Sequence, residues 1–215
     1  MSTVTVRNDL RGRFGPARDQ GGRETCLAFA LSDTHATAIG GTWSPLSCEY
    51  LFFHAKQRDR TDANVGTTVP AIRSALEQDG QPTETGWPYL DALPFDLKLW
   101  KPPVEVGQLF RRGSVQHGTA FDEIWNAVEG DQPVLLGMTI SDAFYTPEAN
   151  GVIDSDEATD PTRRHAVVIV ATGNQGKKRL LLARNSWGGS WGLSGHAWLM
   201  ERYVGPRIRV TVIVN

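Results

Sequence analysis

Apolar positions change their rhythm about halfway along the chain. From Thr25 to Ile39, alanine and larger apolar residues fall on nearly every side of a helical wheel, which predicts a buried helix closed by Gly40-Gly41. Ser47 reads as the N-cap of a second helix through Glu49-Tyr50-Leu51-Phe52-Phe53. A third is predicted over roughly Val69 to Gln78, stopped by Gly80. Gly86-Trp87-Pro88, Leu93-Pro94 and Pro102-Pro103 mark a loop-rich connection. Beyond it one more helix is predicted, Phe121 to Glu129, with Thr119 and Asp122 spaced as a capping box. The other apolar runs are short and β-branched: Val134 to Ile140, Ala166 to Ala171, Leu180 to Ala183, Ala197 to Met200 and Ile208 to Val214. Helices first and strands later predict an α+β arrangement of two lobes. Ligand sites favour the cleft between such lobes.

Composition narrows the picture. With 215 residues, 40% hydrophobic and 21% charged, the chain reads as an ordinary globular one, either a single large domain or two small lobes sharing a core. Lys and Arg number 22 against 24 Asp and Glu, a formal net charge of −2 that gives no general attraction to nucleic acid or anionic membranes. Lys177-Lys178-Arg179 reads as a solvated hairpin tip, so no nucleic-acid partner is expected. The longest apolar stretches, Cys26–Leu31 and Ala166–Ala171, run about six residues where a spanning helix needs about 20, so no membrane is expected either. The N-terminus lacks the basic start and apolar segment of a secretory signal. Two cysteines, Cys26 and Cys48, make no disulfide framework, and no close Cys or His pair offers metal ligands. No metal or cofactor is therefore expected, and two reduced thiols fit a cytoplasmic protein.

Candidate chemistry gathers on Gln20, Cys26, His165 and Asn185. A cysteine thiolate attacks carbonyls at neutral pH once its pKa falls, and a helix N-terminus, where Cys26 is expected, lowers it. An imidazolium lowers it further, and five histidines compete for that role. His35, nine residues beyond Cys26, is half a turn out of phase on the helix. His54 and His117 read as surface or structural residues, and His196 is ambiguous at a strand start. His165 opens the run Ala166 to Val170, where a strand end would hold it rigidly. Residues 184 to 192, Arg-Asn-Ser-Trp-Gly-Gly-Ser-Trp-Gly, hold two tryptophans and three glycines in nine positions. They read either as a tight aromatic turn or as an Asn185 amide orienting an imidazole while Trp187 shields that bond from water.

In this order the motifs resemble the papain-like cysteine peptidases over almost the whole chain. Asp19-Gln20-Gly21 followed by Cys26-Leu27-Ala28-Phe29-Ala30 is similar to the family's Gln-Gly…Cys-x-Ala-Phe segment. Leu46-Ser47…Tyr50-Leu51, Gly80…Glu84…Trp87-Pro88-Tyr89 and Asp131-Gln132-Pro133-Val134 resemble its second helix start, its Gly…Glu…Tyr-Pro-Tyr turn and its Gly-Pro-Val strand entry. His165-Ala166-Val167 and Asn185-Ser186-Trp187-Gly188 resemble its histidine and asparagine motifs, the last being the most specific. His165 lies 139 residues after Cys26, within the family's spacing of roughly 130–150, and Asn185, at 159, lies slightly beyond.

The resemblance implies a single catalytic domain over 1–215, with a helical lobe over roughly 1–110 and a β-barrel-like lobe over roughly 111–215. It implies that Cys26 is the nucleophile, His165 its proton partner, Asn185 the orienting group under Trp187, and Gln20 with the Cys26 N–H the oxyanion donors. Gly66 falls where the family's glycines pair with substrate backbone, although Val65-Gly66-Thr67 replaces a double glycine. The family's Cys-Gly-Ser-Cys-Trp is here Arg23-Glu24-Thr25-Cys26-Leu27, so an upstream disulfide cysteine is replaced and Glu24 rims the expected cleft. Arg163 falls at a wall of the expected specificity pocket. It reads as solvated or paired with Asp154, Asp156, Glu157 or Asp160, or as selecting an acidic residue two positions before the cleaved bond. The implied activity is peptide-bond hydrolysis through an acyl-enzyme, on a peptide or protein substrate. An amidase, transpeptidase or peptide ligase on the same site, and a non-catalytic peptide-binding module, are the alternatives. The family's inhibitory propeptide has no counterpart in this sequence, so an inhibitory or activating protein partner is a further expectation.

Overall fold

Ser47 and Thr68 serve as N-caps in the computed structural model, which describes residues 3–215. The Ser47 hydroxyl accepts from the Tyr50 N–H at 3.0 Å, and that of Thr68 from Ala71 at 3.4 Å. They start α2 (Cys48–Asp59) and α3 (Val69–Gln78), which follow α1 (Cys26–Ile39). Gly40 ends α1 with a φ of 79°. The ten consecutive residues from Ala28 to Thr37 are buried, as the unbroken apolar run predicts. His35, out of phase with Cys26, is one of them, and its Nδ1 meets Gln81 Oε1 at 2.8 Å. These helices and the long connection after them form one compact unit, Gln20–Ser114 with Val214–Asn215.

The second unit joins Val115–Ile213 to the described residues before Gln20. It carries β1 (Thr5–Asp9), β2 (Ser114–Gln116, entering from the first unit by one residue), α4 (Phe121–Glu129), β3 (Val134–Thr139), α5 (Asp142–Tyr145), β4 (Val152–Ile153), β5 (Arg164–Gln175), β6 (Lys178–Arg184), β7 (His196–Met200), α6 (Glu201–Val204) and β8 (Ile208–Val214). The sheet order is β2-β8-β3-β5-β6-β7-β4, with β1 pairing on β5. The expected barrel-like closure is not made. The sheet is open and ends in the short edge strands β2 and β4, of three and two residues. β5 is buried from His165 to Gly173 and pairs antiparallel with β1, β3 and β6.

Two expectations are corrected locally. At α4 the capping carboxylate is that of Glu123, which accepts from the Ala120 N–H at 2.9 Å; Thr119 and Asp122 are one residue out of register with the helix start. Residues 3–19 pack with the strands rather than with the helices that follow them in sequence. β1 pairs with β5, the Leu10 N–H donates to the Val170 carbonyl at 2.8 Å, and the buried Arg184 guanidinium donates to the Gly15 and Pro16 carbonyls at 2.9 and 2.7 Å.

Candidate active site

β5 delivers His165 at its second residue, opposite Met138 of β3, and leaves it 6% exposed. Asn185 directly follows β6 and comes to 2.6 Å of His165 Nε2 through its Oδ1. The same oxygen accepts from the Ser186 N–H at 2.8 Å. A backbone N–H can only donate, so this second bond fixes which end of the amide is oxygen. His165 Nε2 therefore carries the proton of the neutral ring, and Nδ1 is its basic nitrogen. The Asn185 Nδ2 is buried with no partner. Holding that arrangement is the 186–196 turn, where the Asn185 N–H donates to the Gly195 carbonyl at 2.9 Å. Gly192 and Gly195 have φ of 55° and 81°, and a Cβ there would lie 2.3 Å from the His196 carbonyl oxygen and 2.2 Å from the Ala17 Cβ.

An aromatic shell closes over this pair. The Trp187 ring is centred 4.6 Å from the imidazole and Phe144 5.6 Å. Tyr145 stacks on Trp187 at 5.2 Å, and Trp191 packs on Phe144 at 5.0 Å while its Nε1 donates to the Phe144 carbonyl at 3.0 Å. Phe144 and Tyr145 lie on α5, which has only four residues and shows no periodicity in the sequence. Burial pushes the His165 pKa down to about 4, and the Asn185 hydrogen bond only partly opposes it.

In the helical unit, Cys26 is the first residue of α1 and half-buried. The Thr25 side chain caps none of the first-turn N–H groups. It turns instead to the Tyr89 hydroxyl, 2.7 Å away, which itself donates to the Gln20 carbonyl at 2.8 Å. Tyr89 has one proton to give, so Thr25 is the donor in their contact. The two ends of the 20–25 loop are thus tied to one phenol. The Gln20 side chain is buried and its Nε2 donates to the Arg23 carbonyl at 2.7 Å.

Arg23 anchors the same loop from below. Its guanidinium makes a two-pronged contact with Glu49 of α2 at 2.6 and 3.0 Å and donates to the Leu90 carbonyl at 2.7 Å. Glu49 is fully buried and also accepts from the Leu90 N–H at 3.0 Å and the Trp100 Nε1 at 2.6 Å. Glu24 and Gly66 meet, with Glu24 Oε2 accepting from the Gly66 N–H at 2.8 Å. The Gly66 carbonyl accepts from Lys56 Nζ at 3.1 Å.

The remaining sequence expectations fall as follows. Arg163 pairs with Asp142 of α5 at 2.7 Å and lies over the Tyr145 ring, so its acid is neither Asp154, Asp156, Glu157 nor Asp160. Asp154 is engaged by Arg202 instead. Neither cysteine is in a disulfide; Cys48 is buried with its thiol 3.8 Å from the Ala28 carbonyl. Among the described residues no cluster of His, Cys, Asp or Glu is arranged to hold a metal ion, and no helix is long and apolar enough to cross a membrane.

Fold and side-chain chemistry together define a cysteine-protease type of architecture, and comparison with known proteins makes the class definite. The model of the papain family cysteine proteases matches residues 2–209, so the chain belongs to that family. It is 26% identical to cathepsin R of Mus musculus over 201 residues, covering 89% of this chain and 58% of that protein. It is 28% identical to thiol protease aleurain of Arabidopsis thaliana over 191 residues, covering 86% and 52%. The chain thus spans a little over half the length of the curated relatives it matches. Among solved structures, xylellain, a cysteine protease from Xylella fastidiosa, superposes with a TM-score of 0.76 at 17% identity, covering 99% of this chain and 87% of that one. A mite-allergen structure, from a study of Blo t 1 and Der p 1, superposes at 0.79 and 20% identity, covering 100% and 72%. These two likenesses concern the fold.

Proposed function

We propose that the chain acts as one catalytic domain that hydrolyses peptide bonds with Cys26 as nucleophile, His165 as proton carrier, Asn185 as its orienting group, and Gln20 with the Cys26 N–H as oxyanion donors. The observation that carries the reading is the buried His165–Asn185 bond with its oxygen fixed by Ser186. It commits Nε2 and leaves Nδ1 as the nitrogen chemically able to exchange a proton.

In the first half-reaction the Cys26 sulfur bonds the carbonyl carbon and the π pair moves onto oxygen. The tetrahedral intermediate collapses by breaking C–N, and His165 Nδ1–H protonates the departing amine. Water then attacks the thioester with Nδ1 taking its proton, and the thiolate leaves. A position at the N-terminus of the fourteen-residue α1 favours the anionic sulfur. Since burial alone keeps His165 neutral above about 4, the imidazolium needs that anion beside it. The reading extends to a reducing, cytoplasmic setting, which is supported by an Arg23–Glu49 ion pair standing where the family has a disulfide cysteine.

The test is cleavage of fluorogenic peptides, with products weighed by mass spectrometry. Wild type is expected to cleave and to form a mass-detectable thioester at Cys26, and Cys26→Ala to do neither. Gln20→Ala is expected to lower kcat by about 10²–10³, the effect of losing one oxyanion donor. Turnover in Cys26→Ala close to wild type overturns the mechanism.

A further inference from the structure

Glu24 stands two residues before Cys26 and is exposed, and its carboxylate accepts from the Gly66 N–H through Oε2 at 2.8 Å. The carbonyl of the same residue, Gly66, accepts from Lys56 Nζ at 3.1 Å. Lys56 is itself buried and further held by the Thr61 hydroxyl and by Asp59 at 3.3 Å. Asp59 in turn accepts from the Thr67 hydroxyl at 2.6 Å and the Thr61 N–H at 3.0 Å. The loop that carries Gly66 is therefore built rigidly from α2, and its outward N–H is already satisfied by an acid from the nucleophile's own loop.

An extended peptide binds a protein edge by offering carbonyls to such N–H groups. Here it must first displace a carboxylate, a stronger acceptor than an amide oxygen. The displaced acid stays tethered within two residues of Cys26, and a cationic group on the incoming peptide would give it a new partner. Neutral or acidic peptides would leave it with water alone. Specificity is a difference between such outcomes.

We propose that Glu24 is a specificity-determining residue: it occupies the Gly66 N–H in the resting enzyme and yields it to extended peptides bearing a Lys or Arg side chain beside the reacting carbonyl. The proposal rests on the peptidase reading above and adds a substrate class to it. Because Glu24 is exposed, its effect belongs to the range of surface charge pairs, about two- to fivefold in affinity, and shrinks as salt rises.

The experiment uses two peptides identical except for Lys or norleucine immediately before the scissile bond. Their kcat/KM is measured on wild type, Glu24→Gln and Glu24→Gly, and their Kd on the same three backgrounds carrying Cys26→Ser. The Lys peptide is expected to be favoured about two- to fivefold by wild type at low salt, and the ratio to approach one in Glu24→Gln and at high salt. Glu24→Gly, which empties the N–H, is expected to lower KM and Kd for the norleucine peptide. A Lys-to-norleucine ratio unchanged by Glu24→Gln overturns the proposal while hydrolysis itself stands. Binding with the Glu24-dependent preference but no cleavage supports the proposal and overturns the hydrolytic reading. No binding and no cleavage overturns both.

Discussion

At the level of single residues, one imidazole carries the most consequence. His165 is held at Nε2 by an oxygen that Ser186 pins in place, and enclosed by Trp187 and Phe144. Burial pushes its pKa to about 4, so with no anion at Nδ1 it is neutral across the physiological range. In Cys26→Ala the ring is expected to titrate near 4 by NMR, and in wild type the thiolate should hold it protonated to markedly higher pH. Equal titration in both proteins would rule out an ion pair between them. Cys26, His165 and Asn185 could be singled out in the sequence because short motifs surround each one. Phe144 and Tyr145 could not, since four helical residues have no period to recognise. Arg163 is solvated, as one reading of the sequence has it, but its acid was not legible: Asp142 lies 21 residues upstream, whereas four other acids lie closer in sequence.

At the level of elements, the 20–26 loop is the part most dependent on distant support. Tyr89 clasps both its ends, and the Arg23–Glu49 pair fixes its middle to α2. Tyr89→Phe removes one phenolic hydroxyl and two hydrogen bonds, a loss of about 1–3 kcal/mol. It is expected to lower kcat with KM nearly unchanged, because the proposed oxyanion donors of the loop lose their aim while the proposed peptide-binding edge stays. A pure loss of melting temperature with unaltered kcat would make the phenol merely structural. Arg23→Met leaves a fully buried carboxylate without its cation and should cost about 3–5 kcal/mol in urea unfolding. Adding Glu49→Leu should recover part of that loss. The helices themselves were legible because Ser47 and the glycine after α1 punctuate them with ordinary cap chemistry. The α4 cap was read one residue early because Asp122 and Glu123 satisfy the same spacing rule from neighbouring starts. β1, whose residues Thr-Val-Arg-Asn-Asp are mostly exposed, lacks the alternation that marks a half-buried strand.

Across the whole molecule, three buried histidines link stability to pH in Cys26→Ala, where no thiolate holds His165 protonated. Desolvation lowers His35, His165 and His196 to about 4, against roughly 6.5 in an unfolded chain. Between those values the unfolded state binds more protons, so stability is complete above about 6.5 and falls as pH drops toward 4. Each histidine contributes a slope of up to about 1.4 kcal/mol per pH unit in that window. Urea midpoints of Cys26→Ala at pH 7.5, 6.5, 5.5 and 4.5 should be flat above 6.5 and fall below it, and adding His35→Asn should flatten the fall by about one proton. A midpoint independent of pH across that range would contradict the burial of all three. The open sheet carries another consequence, in time rather than energy. β1 is made first, yet Asn8 bonds to Thr172, 164 residues away. On a ribosome adding about 5–20 residues per second, β1 waits roughly ten to thirty seconds before its partner strand exists. A strand made early is thus among the later ones to find its partner, and a chaperone that shields it during synthesis would act on a slow contact.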